Sequence, residues 1–245
     1  LVAKAAADSV KRVHQELGGK SANIILPDAD LEGAVAAGVR RSFFNSGQSC
    51  QGPTRMLVQV DQITKAVAIA KTTAEAVKVG HPAAAETNIG PVAHKAQFEK
   101  VQRMLESGVT QGASVVTGGP GRPEGYNRGY YVRPTVFSEV DSNMLIAQEE
   151  IFGPALVMQS YRTEDEAIEI ANTSRYGLAG YVQSSDPAHA RRVAAKIRSG
   201  RVYLNGFHTD LAAPFGGYKQ SGNGREWGKF GFEEFLEVKA VLGYQ

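Results

Sequence analysis

The sequence predicts an α/β fold, a mostly parallel sheet with helices on both faces. Strand-like and helix-like segments alternate through most of the chain. One stretch places Leu31, Ala34, Val35, Val39 and Phe43 at helical spacing behind a capping residue, Asp30. Two more carry start signals, Glu164 and Asp165 in one first turn and Pro187 in another.

In chain order, residues 3–13 read as the end of a helix and 21–26 (SANIIL) as a short buried strand. The helix capped by Asp30 follows, then a loop around Cys50. Residues 55–60 alternate as a strand does, and 62–77 read as a helix. Residues 95–107 are expected to be helical, 114–117 extended, and 118–129 a glycine-rich connection. A strand over 154–161, a helix over 163–172 and a strand over 178–183 come next. A helix over 187–197 and a strand over 201–205 complete the alternation. Residues 235–242 (FLEVKAVL) form a late strand candidate with no helix behind it, suited to an edge of the same sheet or to pairing outside it.

A chain of 245 residues makes one large domain or two small ones. Hydrophobic residues at 42% and charged residues at 21% describe an ordinary globular protein. The net charge of +2 gives no reason to expect nucleic acid or membrane as a partner. No apolar run approaches the roughly 18–20 residues that cross a bilayer. The opening Leu1-Val2-Ala3-Lys4 lacks the apolar centre of a signal peptide, and it suggests a piece of a longer chain. A single cysteine forms no intramolecular disulfide and fits a reducing compartment, so a cytoplasmic location is expected. No metal site is expected.

Cys50 lies in Asn45-Ser46-Gly47-Gln48-Ser49-Cys50-Gln51-Gly52-Pro53. Small residues before it leave room for a substrate carbonyl beside the sulfur, as a nucleophilic thiol requires. A lone cysteine serves equally well as a small buried hydrophobe. Glu16, in Gln15-Glu16-Leu17-Gly18-Gly19-Lys20, suits a general base or a solvated surface charge.

Taken together, Glu16-Leu17-Gly18-Gly19-Lys20 and the later Gly47-Gln48-Ser49-Cys50 resemble the two active-site signatures of the aldehyde dehydrogenase superfamily. Glu149-Glu150-Ile151-Phe152-Gly153-Pro154 and Pro214-Phe215-Gly216-Gly217-Tyr218-Lys219-Gln220-Ser221-Gly222 continue the likeness in the family's order, as do Arg225-Glu226-Trp227-Gly228 and Glu237-Val238-Lys239. The resemblance covers essentially the whole chain.

It implies oxidation of an aldehyde to a carboxylic acid with NAD or NADP, through a thiohemiacetal and then a thioester on the cysteine. Carried over by motif, Cys50 is the nucleophile and Glu16 the base for the deacylating water, with the Cys50 N–H as one oxyanion donor. Glu226 matches an acidic position that helps relay the proton. Glu150 matches the residue on the nicotinamide ribose and Phe152 an aromatic beside the ring. Leu17 matches a backbone contact to the ring amide, and Gln97 a further ribose contact. Ser49, Gln51, Phe215 and the loop 206–211 match positions around the aldehyde tunnel. Taken alone, Phe152 and Phe215 suit an ordinary core, and Gln97 and Glu150 a solvated surface.

Two positions depart from the family's pattern. Gln15 stands where an apolar residue is usual, and Gln51 where a small one is usual. Family members are about twice this length, and the resemblance places their phosphate-binding turn, adenine-ribose lysine and oxyanion asparagine before Leu1. It therefore divides the chain into a remnant of the coenzyme domain (1–17), the catalytic domain (18–218) and a tail with an oligomerisation strand (219–245). It also implies a homo-oligomer, and a chain that is inactive as a full dehydrogenase by itself. Two other readings stay open: a CoA-acylating semialdehyde dehydrogenase, against which Glu16 argues, and a non-catalytic binding or assembly domain. Thiol hydrolysis with a histidine partner is disfavoured, because His14, His81, His94, His189 and His208 carry no accompanying motif.

Overall fold

The computed structural model of the chain describes residues 1–206 and 208–243. The elements run α1 (Val2–Ala7), β1 (Gln15–Glu16), β2 (Ala22–Ile25), α2 (Leu31–Phe43), β3 (Arg55–Gln59), α3 (Ile63–Glu75) and α4 (Lys95–Thr110). Then come β4 (Ser114–Thr117), β5 (Thr135–Ser138), α5 (Leu145–Gln148), β6 (Ala155–Tyr161), α6 (Glu164–Thr173), β7 (Tyr176–Gly177) and β8 (Ala179–Gln183). The chain closes with α7 (Pro187–Ala194), β9 (Arg201–Leu204), β10 (Tyr218–Lys219), β11 (Gly222–Asn223) and α8 (Gly228–Glu233).

Seven strands form one sheet in the order β4-β5-β6-β3-β2-β8-β9. Only β4 and β5 pair antiparallel; every other neighbour is parallel. Successive strand residues face opposite sides, so Ile25, Met56, Val58 and Met158 pack against α2 and α3. Ile24, Leu57 and Val182 pack instead against α6 and α7, and Phe137 and Val157 against α4. Residues such as Ile25 and Leu57 are wholly closed from water, each contributing about 1.5–3 kcal/mol. The helices start where side chains can cap them. Asp30 accepts from the Gly33 N–H, Thr163 from Glu166 and Asp186 from Ala188. Among the described residues, no helix is long and apolar enough to cross a membrane.

Three expectations need correcting. The helix over 3–13 stops at Ala7, and Val10 beyond it takes a left-handed φ of 55° that no α-helix continues through. The helix over 187–197 ends at Ala194. The strand over 235–242 is not formed: Phe235 lies in the turn after α8, and the residues beyond make no ladder. Its alternation supplies propensity without a partner, and Val238 remains 97% exposed.

The two ends of the chain meet. β1 pairs with β11 in a two-residue ladder, Leu17 N–H donates to Ser221 O, and Ser221 Oγ donates to Gly18 O. Arg55, fully buried at the head of β3, donates to Lys20 O, Ile170 O and Ala171 O at 2.9–3.0 Å. Its cation thereby closes the carbonyl end of α6 and ties it to the entry of β2.

Because β6, β3 and β2 are neighbours, the segments leading into them lie side by side. Those segments carry Glu150 and Phe152, Cys50, and Glu16 through Gly19 respectively. The candidate site therefore sits at the amino ends of these strands.

Candidate active site

Beyond α2 the chain reverses through three consecutive left-handed residues, Asn45, Ser46 and Gly47. At Gly47 a Cβ would stand 2.0 Å from Gly153 O, so the loop packs against the segment entering β6 only with glycine there. Side chains pin the reversal. Asn45 Nδ2 donates to Gln48 O, Ser46 Oγ to Gly90 O, and Gln48 Oε1 accepts from Ala93 N–H. A tight turn follows, closed by Gly52 N–H to Ser49 O at 3.0 Å, and it holds Cys50 half-buried.

The Glu16 segment approaches this turn closely. A Cβ on Gly19 would fall 2.2 Å from Cys50 O. The Cys50 thiol and the Glu16 carboxyl lie near enough for each to bear on the other. Burial, then the neighbouring Glu16 carboxyl, then the Glu150 charge push the thiol up to about 12, while the Gln51 N–H opposes them. The Glu16 carboxyl is itself raised, first by burial and further by Glu226 and Glu150, with Cys50 and His14 opposing. Two carboxyl groups, Glu16 and Glu150, therefore bear on the thiol in a partly dry space, and Glu226 and Glu150 make Glu16 the more basic. Glu226 is fixed by a two-way backbone bridge to Phe215, at 2.6 and 2.8 Å.

Glu150 Oε1 accepts from Gly19 N–H at 3.0 Å. A Cβ on Gly18 would stand 2.7 Å from Glu150 Oε2, so the paired glycines admit this carboxylate beside the Cys50 turn. Burial raises its pKa, opposed by the Gly19 N–H, Lys100 and Lys20. Phe152 is held at a left-handed φ of 57°. Gln97 Nε2 donates to Ile151 O and Phe152 O at 3.0 and 2.8 Å, so its amide nitrogen is committed to fixing that bend. Leu17 turns its side chain away from Glu16, 47% exposed, and spends its N–H on Ser221.

Lys20 was not singled out by the sequence. It is 2% exposed, with no hydrogen-bond partner for Nζ among the described residues. Burial, then the Arg55 charge, hold it down to about 7, although Glu150 and Glu149 oppose the shift.

Gln51 is held from both ends. Tyr181 Oη donates to its carbonyl and Tyr203 Oη to its Oε1. The two rings stack at 4.9 Å, which the register of β8 on β9 dictates by setting Tyr181 opposite Tyr203. Arg201 reaches Tyr203 Oη, Ala213 O and Pro214 O, with its guanidinium over the Trp227 ring. Phe215 is 5% exposed and stacked on Trp227, so its ring is a packed wall rather than an open surface. In the loop 206–211, His208 through Leu211 are exposed, and Phe207 lies outside the described residues. Tyr181, Tyr203 and Arg201 escaped the sequence reading because only strand pairing brings them to Gln51.

The aldehyde dehydrogenase family model matches residues 1–241. The 3-succinoylsemialdehyde-pyridine dehydrogenase of a Pseudomonas species is 56% identical over all of this chain and 51% of its own length. A cysteine-to-alanine mutant of aldehyde dehydrogenase C from Pseudomonas syringae, solved with NAD+ and octanal, superposes with a TM-score of 0.96 at 55% identity. It is matched over 98% of this chain and 50% of that one. An aldehyde dehydrogenase of Mycobacterium tuberculosis complexed with NAD+ gives a TM-score of 0.95 at 42% identity, over 100% of this chain and 51% of that one. The chain thus spans about half the length of the relatives it matches. With a family model matched almost end to end and relatives more than half identical across it, the chain belongs to the aldehyde dehydrogenase family.

Proposed function

We propose that this chain carries the acyl-transfer centre of an NAD(P)+-dependent aldehyde dehydrogenase that oxidises an aldehyde to a carboxylic acid. The observation that carries the reading is the close approach of the Glu16 segment to the turn of the sole thiol, Cys50, with the Glu16 carboxyl near enough to raise that thiol. Cys50 gives up its thiol proton to solvent as Sγ bonds to the aldehyde carbon, and the Cys50 N–H is the donor assigned to the developing oxyanion. NAD(P)+, when bound, supplies the acceptor for the hydride that leaves that carbon. In the second half Glu16 takes a proton from water, the water oxygen bonds to the acyl carbon, and the carbon–sulfur bond breaks. The acid departs and the sulfur is free again.

The residues present fit the nicotinamide end of such a cofactor. Glu150 keeps Oε2 beside the glycine pair as an acceptor for a ribose hydroxyl, and the bend at Phe152, fixed by Gln97, presents a ring for the nicotinamide. The Leu17 carbonyl is the remaining backbone group for the ring amide. Two relatives are solved with NAD+, which favours NAD+ here. One is solved with octanal and another is named for a semialdehyde, so a chain-terminal aldehyde is the substrate class we assign. Gln51, Ser49 and the Phe215–Trp227 wall border its approach. Glu16 favours release of the acid by hydrolysis over transfer to CoA. The lone thiol suits the cytoplasm, and the exposed alternation of 236–242 suits pairing with a second copy.

The test is covalent. Treatment with p-nitrophenyl acetate adds one acetyl group at Cys50, read by intact mass, and Cys50→Ser carries none. In Glu16→Gln the acetyl group persists. Acetylation elsewhere, or loss of the acetyl group at the native rate without Glu16, overturns the assignment.

A further inference from the structure

We infer that His14 is the exit for the Glu16 proton, passing it from the buried carboxyl to solvent during deacylation. The inference rests on the roles proposed for Cys50 and Glu16. Each turnover leaves a proton on Glu16 that must go before the carboxyl can serve again, and the site that raises its basicity also separates it from bulk water.

His14 and Glu16 are two residues apart where the chain enters β1. On an extended backbone such residues point to the same side, with Cα atoms about 6.6 Å apart. That span is closed by the two side chains directly or through one bridging water. Two buried atoms in this pair have no hydrogen-bond partner among the described residues, His14 Nε2 and Glu16 Oε1. A ring nitrogen and a carboxyl oxygen are matched for proton transfer. The ring is also near enough for its charge to bear on the Glu16 carboxyl.

The other side of the ring leads outward. His14 lines a cavity of about 410 Å³ together with Arg12, Asn223, Glu234 and Phe235. Arg12, Asn223 and Phe235 are exposed, so the cavity meets solvent. Gly224 makes room for the ring: a Cβ there would stand 2.9 Å from His14 Cγ. Arg225 and Glu226 follow Gly224 directly in the chain, and the Glu226 charge bears on the same Glu16 carboxyl as the ring does. The charged groups around it are therefore Glu16, Glu226 and Arg225 on the inner side and Arg12 and Glu234 on the cavity. A group with one buried, unpartnered nitrogen and an edge on water, beside the base, has the form of a shuttle. The proton moves from Glu16 to the ring, a second leaves the ring to solvent, and no bond to carbon or sulfur is involved.

The experiment follows acetyl-Cys50, formed with p-nitrophenyl acetate and freed of excess reagent, by intact mass from pH 6 to pH 9. His14→Gln and His14→Ala should slow acetyl loss roughly tenfold or more near neutrality. Added imidazole should restore His14→Ala and leave the native chain unchanged. Glu226→Gln tests the other acid under the same conditions. Native rates in both His14 variants overturn the inference. So does slowing that imidazole does not repair and that keeps the native pH profile, since that is a structural effect. If acetyl-Cys50 fails to form, or its loss does not depend on Glu16, the functional reading falls and this inference with it.

Discussion

The Tyr203 hydroxyl donates to Gln51 Oε1 across 2.8 Å, fixing the side chain next to the nucleophile from a strand at the far edge of the sheet. Tyr181, stacked on Tyr203, holds the carbonyl of the same residue at 2.6 Å. The position of Gln51, and with it the turn that carries Cys50, is thus set by the pairing of β8 with β9.

Tyr203→Phe removes the donor while keeping the stacked ring. The expected loss is about 1 kcal/mol of stability, measured by urea unfolding, with a slower acetylation of Cys50 as the turn loosens. Tyr181→Phe should cost at least as much, because its ring is almost wholly buried. Native midpoints and native acetylation rates in both variants would show that the clamp does not govern the turn.

Glu16→Gln should move two rates in opposite directions. After burial, the neighbouring Glu16 carboxyl does most to push Cys50 up to about 12. Without it the thiol pKa falls, and at a fixed alkaline pH more thiolate is present. Iodoacetamide then labels Cys50 faster, up to about tenfold for each unit of the fall. Deacylation loses its base and slows by about a hundredfold or more. General damage to the site would lower both rates, and that result would refute the assignment of Glu16 as base.

The long elements were legible because their signals are local. The capped, periodic run behind Asp30 became α2 from Leu31 to Phe43, and Asp186-Pro187 opened α7. The two-residue ladders β1–β11 and β7–β10 were not legible, since two residues carry no period and each exists only through its partner. The late run FLEVKAVL makes no ladder for the complementary reason, a pattern without a partner in this chain. In the candidate site the ordered motifs pointed to Cys50, Glu16, Glu150 and Glu226; the first three approach because β3, β2 and β6 are neighbours, and Glu226 comes in beyond β11, which pairs with β1. Lys20, Tyr203 and His14 gave no such signal. What distinguishes them is burial or a contact made across the fold.

Lys20 should leave a mark on the pH dependence of stability. Its folded-state pKa is about 7 against an ordinary 10.5. Below about pH 7 the ammonium is charged in both states and the folded chain bears the full cost of burying it. From there up to about pH 10.5 the unfolded chain binds more protons than the folded one, so stability rises with pH, by at most about 1.4 kcal/mol per unit. Lys20→Met removes this contribution. Urea titrations from pH 6 to pH 10 should show a flatter rise in the variant and a greater gain over the native chain at the acid end. Parallel curves would mean that Lys20 is solvated or paired in solution.

Gly19→Ala tests whether the close approach of the two signature segments makes the site. The added methyl would be placed 2.2 Å from Cys50 O and 3.3 Å from Leu178 Cβ, so either the Glu16 strand or the Cys50 turn must move. Overpacking of this kind costs about 1–3 kcal/mol, which a shift in the urea midpoint measures. The larger effect falls on chemistry. A displacement near 1 Å between base and thiol costs about a hundredfold, and the same movement pulls Gly19 N–H away from Glu150 Oε1, 3.0 Å distant in the native chain. Acetyl loss from Cys50 should therefore fall far more than stability does, and restoring conditions that favour the folded state should not recover it. An alanine variant with native deacylation would show that Cys50 and Glu16 cooperate without this contact.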